Sequence, residues 1–305
     1  TWNGCKRIMP TFKELVDEVA LNLQGFTLRQ DRSTHLTAAV TSTATSITLS
    51  SADNVAKGII QIDDELIWVD SYDKNTGVVT IPPYGRGYLG TTKSSHTSGT
   101  QVIIKPTYPR NNIKKAINDT VRAVSDTLFG TGTYTFSYNP SQITYSLPND
   151  VERVLAVSHQ SIGPTEEWYP VRSWRIDPMA NTTEFNSNIS LSIYDSIVPG
   201  RTVQVFYTTN PDTFEIDQDD YEDVTGLPLS CKDVIVYGAA YRMASMIDPG
   251  RLTLTSPEAD IQSNKIPLNA GTNAARYLLA LYTQRLDEES RKLRDRYPIR
   301  VHYTR

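Results

Sequence analysis

The stretch Gly58-Ile59-Ile60-Gln61-Ile62-Asp63-Asp64-Glu65-Leu66-Ile67-Trp68-Val69 decides the fold class. Two apolar, β-branched runs flank an Asp-Asp pair, the pattern of two strands joined by a tight turn. Short strand signals surround it. Ser46 to Ser50 alternates with period two, Asn75-Thr76-Gly77 makes a turn before Val78 to Ile81, and Gln101 to Ile104 closes the block. Five or six short strands between Leu36 and Lys105 suit a small barrel or sandwich.

Further out the period changes. Upstream, Phe12, Leu15, Val16, Val19, Ala20 and Leu23 recur at helical spacing behind a Thr11…Glu14 capping box. Downstream, Ile113, Ala116, Ile117, Val121, Val124 and Leu128 form the stripe of a helix expected over Asn111 to Leu128. A second β block runs from Tyr134 to Thr209, with its longer strands at Val151–Val157, Ile189–Tyr194 and Thr202–Thr208. Helix returns at Cys231–Ile247, where Gly238, Ala239 and Ala240 permit close helix contact, and again at Asn273–Arg296.

The expected fold is therefore α+β: a helical core of about four helices with two inserted β modules and an extended C-terminal arm. The expected boundaries are 1–33, 106–132 and 218–296 for the core, 34–105 and 133–217 for the insertions, and 297–305 for the arm. The order lacks the regular βαβ alternation of a doubly wound enzyme.

Composition narrows the function classes. The 305 residues carry 30 Lys+Arg against 34 Asp+Glu, a net charge of -4, which argues against a strongly basic nucleic-acid binder. Hydrophobic residues are 39%, and 17 tyrosines outnumber 7 phenylalanines, so much aromatic surface has a polar edge that suits half-wet contacts. This modest apolar content fits a subunit whose burial is completed by neighbours. No long apolar run predicts a membrane helix, and Thr1-Trp2-Asn3-Gly4-Cys5 lacks a basic-then-apolar leader. Two cysteines make neither a disulfide framework nor a metal spacing.

Catalytic motifs are thin. His35, His96, His159 and His302 are scattered and are read as loop or surface residues; none makes a zinc motif. Cys231 opens a small-residue helix, which favours buried packing over a nucleophile. Gly85-Arg86-Gly87-Tyr88-Leu89-Gly90 matches a dinucleotide fingerprint as letters, but a polar Thr-Thr-Lys-Ser-Ser loop follows instead of an apolar helix. Neither enzyme nor cofactor is expected. The segment from Gly85 to Gln101 is read two ways: a long hairpin loop held on itself, or a contact loop with Arg86, Tyr88 and Leu89 at its tip.

The acidic run Asp212 to Asp223 is a solvated connection, an incomplete calcium loop, or a phosphate-repelling surface formed by Asp217, Asp219, Asp220, Glu222 and Asp223. At the C-terminus, Tyr297, Ile299, Val301 and Tyr303 share one face of an extended segment, with Arg300 and His302 between them. Such a strand adds to a sheet edge or groove of another chain, or docks on its own β module. Trp68, Trp168 and Trp174 are candidates for a carbohydrate-stacking platform or for buried packing.

Three features together resemble the head-to-tail connector proteins of tailed bacteriophages, also called adaptor or neck proteins. They are the helical core interrupted by β insertions, the Asp64–Val69 string followed by Gly85–Thr92, His96 and Gly99-Thr100, and the ending from Leu281-Tyr282 through Arg296-Tyr297-Pro298-Ile299-Arg300-Val301. The resemblance implies a non-enzymatic virion protein forming a ring, usually of twelve copies, beneath the portal. Tyr297, Ile299, Arg300, Val301 and Tyr303 would dock into the portal protein. The β modules would meet tail, neck or tail-tube proteins, and genomic DNA would pass through an acidic channel without specific binding. Other readings are a tail or baseplate component, a carbohydrate-binding protein and a hydrolase.

Overall fold

The computed structural model describes residues 9–25, 31–161, 167–245 and 270–298, with side chains from 273 onward in the last stretch. Among these, five α-helices are interspersed with fourteen strands, an α+β class as expected. The helices are α1 (Phe12–Gln24), α2 (Arg110–Val124), α3 (Tyr221–Thr225), α4 (Lys232–Ala244) and α5 (Ala270–Arg296). Two compact units partition the chain. One comprises Lys13–Thr120 and Ile235–Tyr282; the other comprises Thr1–Phe12, Val121–Val234 and Thr283–Arg305. Each holds one β module together with stretches of helix.

In the first unit the strands are β1 (Arg32–His35), β2 (Ser46–Thr48), β3 (Gly58–Ile62), β4 (Glu65–Val69), β5 (Ser71–Tyr72), β6 (Val78–Thr80) and β7 (Gln101–Ile104). They form two antiparallel sheets, ordered β1-β7-β3-β4 and β2-β6-β5. Both sheets point aliphatic residues into one cluster that includes Ile47, Ile60, Ile62, Ile67, Val69, Val79, Val102 and Ile104, the core of a small sandwich. The hairpin is where the alternation puts it: Ile62 pairs with Glu65, and Asp63 takes the left-handed conformation (φ 50°) that Asp tolerates in such turns.

That hairpin turn is fastened to the start of α2. Gln61 Oε1 accepts a hydrogen bond from the Arg110 backbone N–H at 3.0 Å. The Asp64 carboxylate pairs with Arg110 at 3.1 Å and with Lys114. In α1 the expected apolar face is buried at Leu15, Val16, Val19 and Leu23. Gly238 of α4 allows the close approach its small side chain implies. A Cβ there would lie 2.4 Å from Thr120 Cγ2 of α2 and 3.0 Å from Tyr282 Cε2 of α5.

The second unit contains β8 (Gly130–Ser137), β9 (Thr144–Ser146), β10 (Arg153–Gln160), β11 (Trp168–Pro170), β12 (Trp174–Asp177), β13 (Ser190–Ile193) and β14 (Thr202–Thr209). The sheets are ordered β11-β10-β14-β8 and β12-β13-β9, both antiparallel. Val154, Val157, Val203, Val205 and Tyr207 from the first meet Tyr145, Leu191 and Ile193 from the second. Pairing of β10 with β14 shifts between Val154 and Ala156, so Leu155 is the extra residue of a β-bulge. No helix among the described residues is long and apolar enough to cross a membrane.

Candidate functional site

The segment after β6 is organised by a buried charge network. Arg86 donates from Nε to Glu65 Oε1 and from Nη2 to Glu65 Oε2, both at 2.8 Å, the bidentate geometry of a guanidinium on a carboxylate. Its remaining N–H groups reach the carbonyls of Thr41 and Ser94 at 2.6 Å. Glu65 also accepts from the backbone N–H groups of Gly87 at 2.9 Å and Ser94 at 3.2 Å. His96 completes the set. Its Nε2 lies 2.9 Å from Glu65 Oε2 and its Nδ1 2.9 Å from Asp63 Oδ2.

Side-chain exposure is 4% for Arg86, 0% for Glu65 and 1% for His96. Both ring nitrogens of His96 face carboxylates, which only accept, an arrangement that favours the imidazolium. Burial alone would raise the Glu65 pKa, but the hydrogen bonds from Arg86, His96, Gly87 and Ser94 outweigh it and bring the group down to about 2. The hydrogen bond to Glu65 raises the His96 pKa against its own burial, and Asp63 adds to the rise.

This corrects two expectations. Arg86 is not a contact residue at a loop tip; it is turned inward as the clamp that holds the loop. Nor is His96 a surface histidine. The loop is held on itself, and what it displays is selected by that clamp. Gly85 is packed so closely that a Cβ would lie 2.7 Å from Trp68 O. Tyr88 leans on Trp68, with ring centroids 5.3 Å apart. Leu89, by contrast, is 68% exposed and takes the left-handed conformation (φ 54°), an uncommon backbone for a leucine. Tyr84 is 69% exposed on the same segment. The residues left for contact are therefore Leu89, Tyr84 and part of Tyr88.

The acidic segment is also engaged in structure. Asp219 Oδ2 accepts from the backbone N–H groups of Glu215 at 2.7 Å and Ile216 at 2.9 Å. Asp220 caps α3 by accepting from Glu222 N, and Glu222 Oε1 accepts from Leu229 N at 2.9 Å. The Asp219 carbonyl accepts from Phe12 N at 2.9 Å, and Phe214 stacks on Phe12 at 4.7 Å. So Asp219, Asp220 and Glu222 serve as backbone caps, while Asp223 is exposed and Asp217 half-exposed. No group of His, Cys, Asp or Glu among the described residues is arranged to hold a metal ion.

At the end of α5, Tyr297 belongs to the folded body and not to an arm. Its ring lies 6.3 Å from Phe129 and 5.7 Å from Phe206, with the Arg296 guanidinium 5.4 Å above it. The period-two pattern shared with Ile299, Val301 and Tyr303 concealed this. Ile299, Arg300, Val301 and Tyr303 lie outside the described residues. Upstream on α5, Arg285 pairs with Glu288 at 2.8 Å and Asp233 at 3.2 Å, and buried Glu289 is met by Lys292 at 2.6 Å.

The Cys231 thiol is fully buried; burial, with the Glu289 charge adding, pushes it up to about 11, the opposite of an activated nucleophile. Trp68 and Trp174 are half-buried, Trp68 against Tyr88 and Trp174 on the second module's core; Trp168 stands 41% exposed on edge strand β11. Comparison with known proteins found no family model and no curated sequence that matches this chain.

Proposed function

We propose that this chain is a structural virion protein of a tailed bacteriophage, a head-to-tail adaptor that assembles as a ring, with twelve copies expected, beneath the portal. In this role the two β modules meet neighbouring copies and neck or tail proteins. The segment Ile299-Arg300-Val301-His302-Tyr303 docks on the portal, and genomic DNA passes without being gripped. The observation that carries the reading is the end of α5. A 27-residue helix is locked by Tyr297 into an aromatic cluster immediately before the alternating apolar segment. A rigid mount followed by a strand-patterned segment suits β-addition to another chain. The clamped loop lends support, because it presents Leu89 and Tyr84 from a backbone that five hydrogen bonds to one buried carboxylate hold in place.

The test is a truncation after Pro298, which leaves Tyr297 in its cluster. The shortened chain is expected to keep its melting temperature and to lose co-purification with the portal. Portal binding at full strength by the truncated chain would sink the reading.

A further inference from the structure

A cavity of about 490 Å³ opens in the second unit. Among the described residues its walls come from four places: the turn after α2 (Ser125, Thr127, Phe129), the start of β10, the end of β14 and the end of α5. The bulge in β10 supplies Leu155 to this cavity, where it is buried. Bulges commonly re-aim one side chain beside a binding site. The size lies in the range of small-molecule sites.

Four exposed charged residues line the cavity: Asp126, Glu152, Arg153 and Arg294. Arg153 and Arg294 have no carboxylate within ion-pair distance, although Asp126 and Glu152 line the same cavity. Glu152 instead accepts a hydrogen bond from Asn210 Nδ2 at 2.6 Å. Both arginines are exposed residues of the lining without an ion pair, which leaves their guanidinium donors available to a phosphate or carboxylate. Phe129 and Tyr297, 6.3 Å apart, add an aromatic wall, and the Thr127 and Thr208 hydroxyls add neutral polar groups.

We propose that this cavity binds a nucleoside monophosphate group, either a free nucleotide or the phosphorylated end of a DNA strand. Arg153 and Arg294 hold the phosphate. The base lies against Phe129, Tyr297 and Leu155. Asp126 and Glu152 accept hydrogen bonds from sugar hydroxyls or exocyclic amines. The same two carboxylates set a limit on charge: with two cations against two anions, the lining favours a monophosphate over a triphosphate. The proposal is independent of the adaptor reading.

Calorimetric titration of the full chain with deoxyadenosine 5′-monophosphate tests it, alongside deoxyadenosine, deoxyadenosine triphosphate and a 5′-phosphorylated oligonucleotide. The monophosphate is expected to bind and to weaken about tenfold or more in both Arg153→Ala and Arg294→Ala, the loss of one charge-assisted contact each. Both side chains are exposed, so melting curves of the variants are expected to match the parent. Binding by the oligonucleotide assigns the site to a DNA end, and its failure beside a binding mononucleotide assigns it to free nucleotide; either supports the site. No binding of the monophosphate in the millimolar range overturns the proposal. So does unchanged affinity in both arginine variants, or tighter binding of the triphosphate or of the nucleoside without phosphate.

Discussion

Replacing Glu65 by glutamine would place a neutral amide where five donors converge. Those donors are Nε and Nη2 of Arg86, the N–H groups of Gly87 and Ser94, and His96 Nε2. The glutamine keeps the volume but offers one oxygen in place of two, and its own NH₂ would face donors. The larger effect is charge. With Glu65 fully buried, Arg86 at 4% side-chain exposure would lose the anion that balances it. Removing one partner of a buried ion pair costs about 3–5 kcal/mol. In urea, with a slope of about 1–3 kcal/mol/M, that is a midpoint lowered by roughly 1–5 M. Trp68, in the same β module and touching Tyr88, reports the transition by fluorescence. Replacing both members, as Glu65→Leu with Arg86→Met, removes the stranded charge and is expected to cost less than Glu65→Gln alone. A change under about 1 kcal/mol for the single variant, or a larger loss for the double, would refute the reasoning.

Four further outcomes follow from particular positions. His96 is expected to show both ring nitrogens protonated in ¹⁵N NMR at pH 6; because its folded pKa is raised above 6.5, its stabilisation is complete below that value and lost as pH rises through the folded pKa. Glu65 works in the opposite sense: its contribution is full above 4.5 and fades as pH falls towards about 2, so amide protection factors at Gly87 and Ser94, corrected for the intrinsic pH dependence of exchange, should be highest between pH 4.5 and 6.5, and protection factors that stay flat across pH 5–9 would contradict the pairing. Leu89→Gly relieves a left-handed leucine worth about 1–2 kcal/mol and loses about 0.4–1 kcal/mol through the unfolded chain, so thermal melting should show no destabilisation, while any partner that seats Leu89 binds more weakly. Gly238→Ala gains roughly 1 kcal/mol of helix propensity but drives a methyl to 2.4 Å from buried Thr120; a net loss of about 1 kcal/mol or more is expected in chemical denaturation, and a stabilised variant would contradict the close packing.

The parts of this fold that could be read from the chain are those whose signal is periodic and local. The Asp63-Asp64 hairpin, the α1 face from Leu15 to Leu23 and the strands around Val203 all follow from spacing, because burial of one face repeats at the period of the element. The clamp does not repeat. Arg86 and His96 stand 21 and 31 residues from Glu65, and each looks, in its own neighbourhood, like a polar loop residue. A signal was present in the acidic residue at the start of β4, directly before the apolar run Leu66-Ile67-Trp68-Val69. A glutamate there calls for a buried cation, and the glycine-rich segment containing Arg86 supplies one.

Sequence alone determined the α+β class, the two β-rich stretches, the long helix near the C-terminus and the small-residue approach at Gly238, since each rests on patterns within a few residues. Only the tertiary structure decided that Arg86 faces inward, that His96 sits buried between two carboxylates, that Asp219, Asp220 and Glu222 cap backbone, and that Tyr297 closes the body. The physical reason is common to all of these. A charged or aromatic side chain has the same sequence signature on a surface and in a buried network, and its state depends on partners brought close by chain segments far apart in sequence.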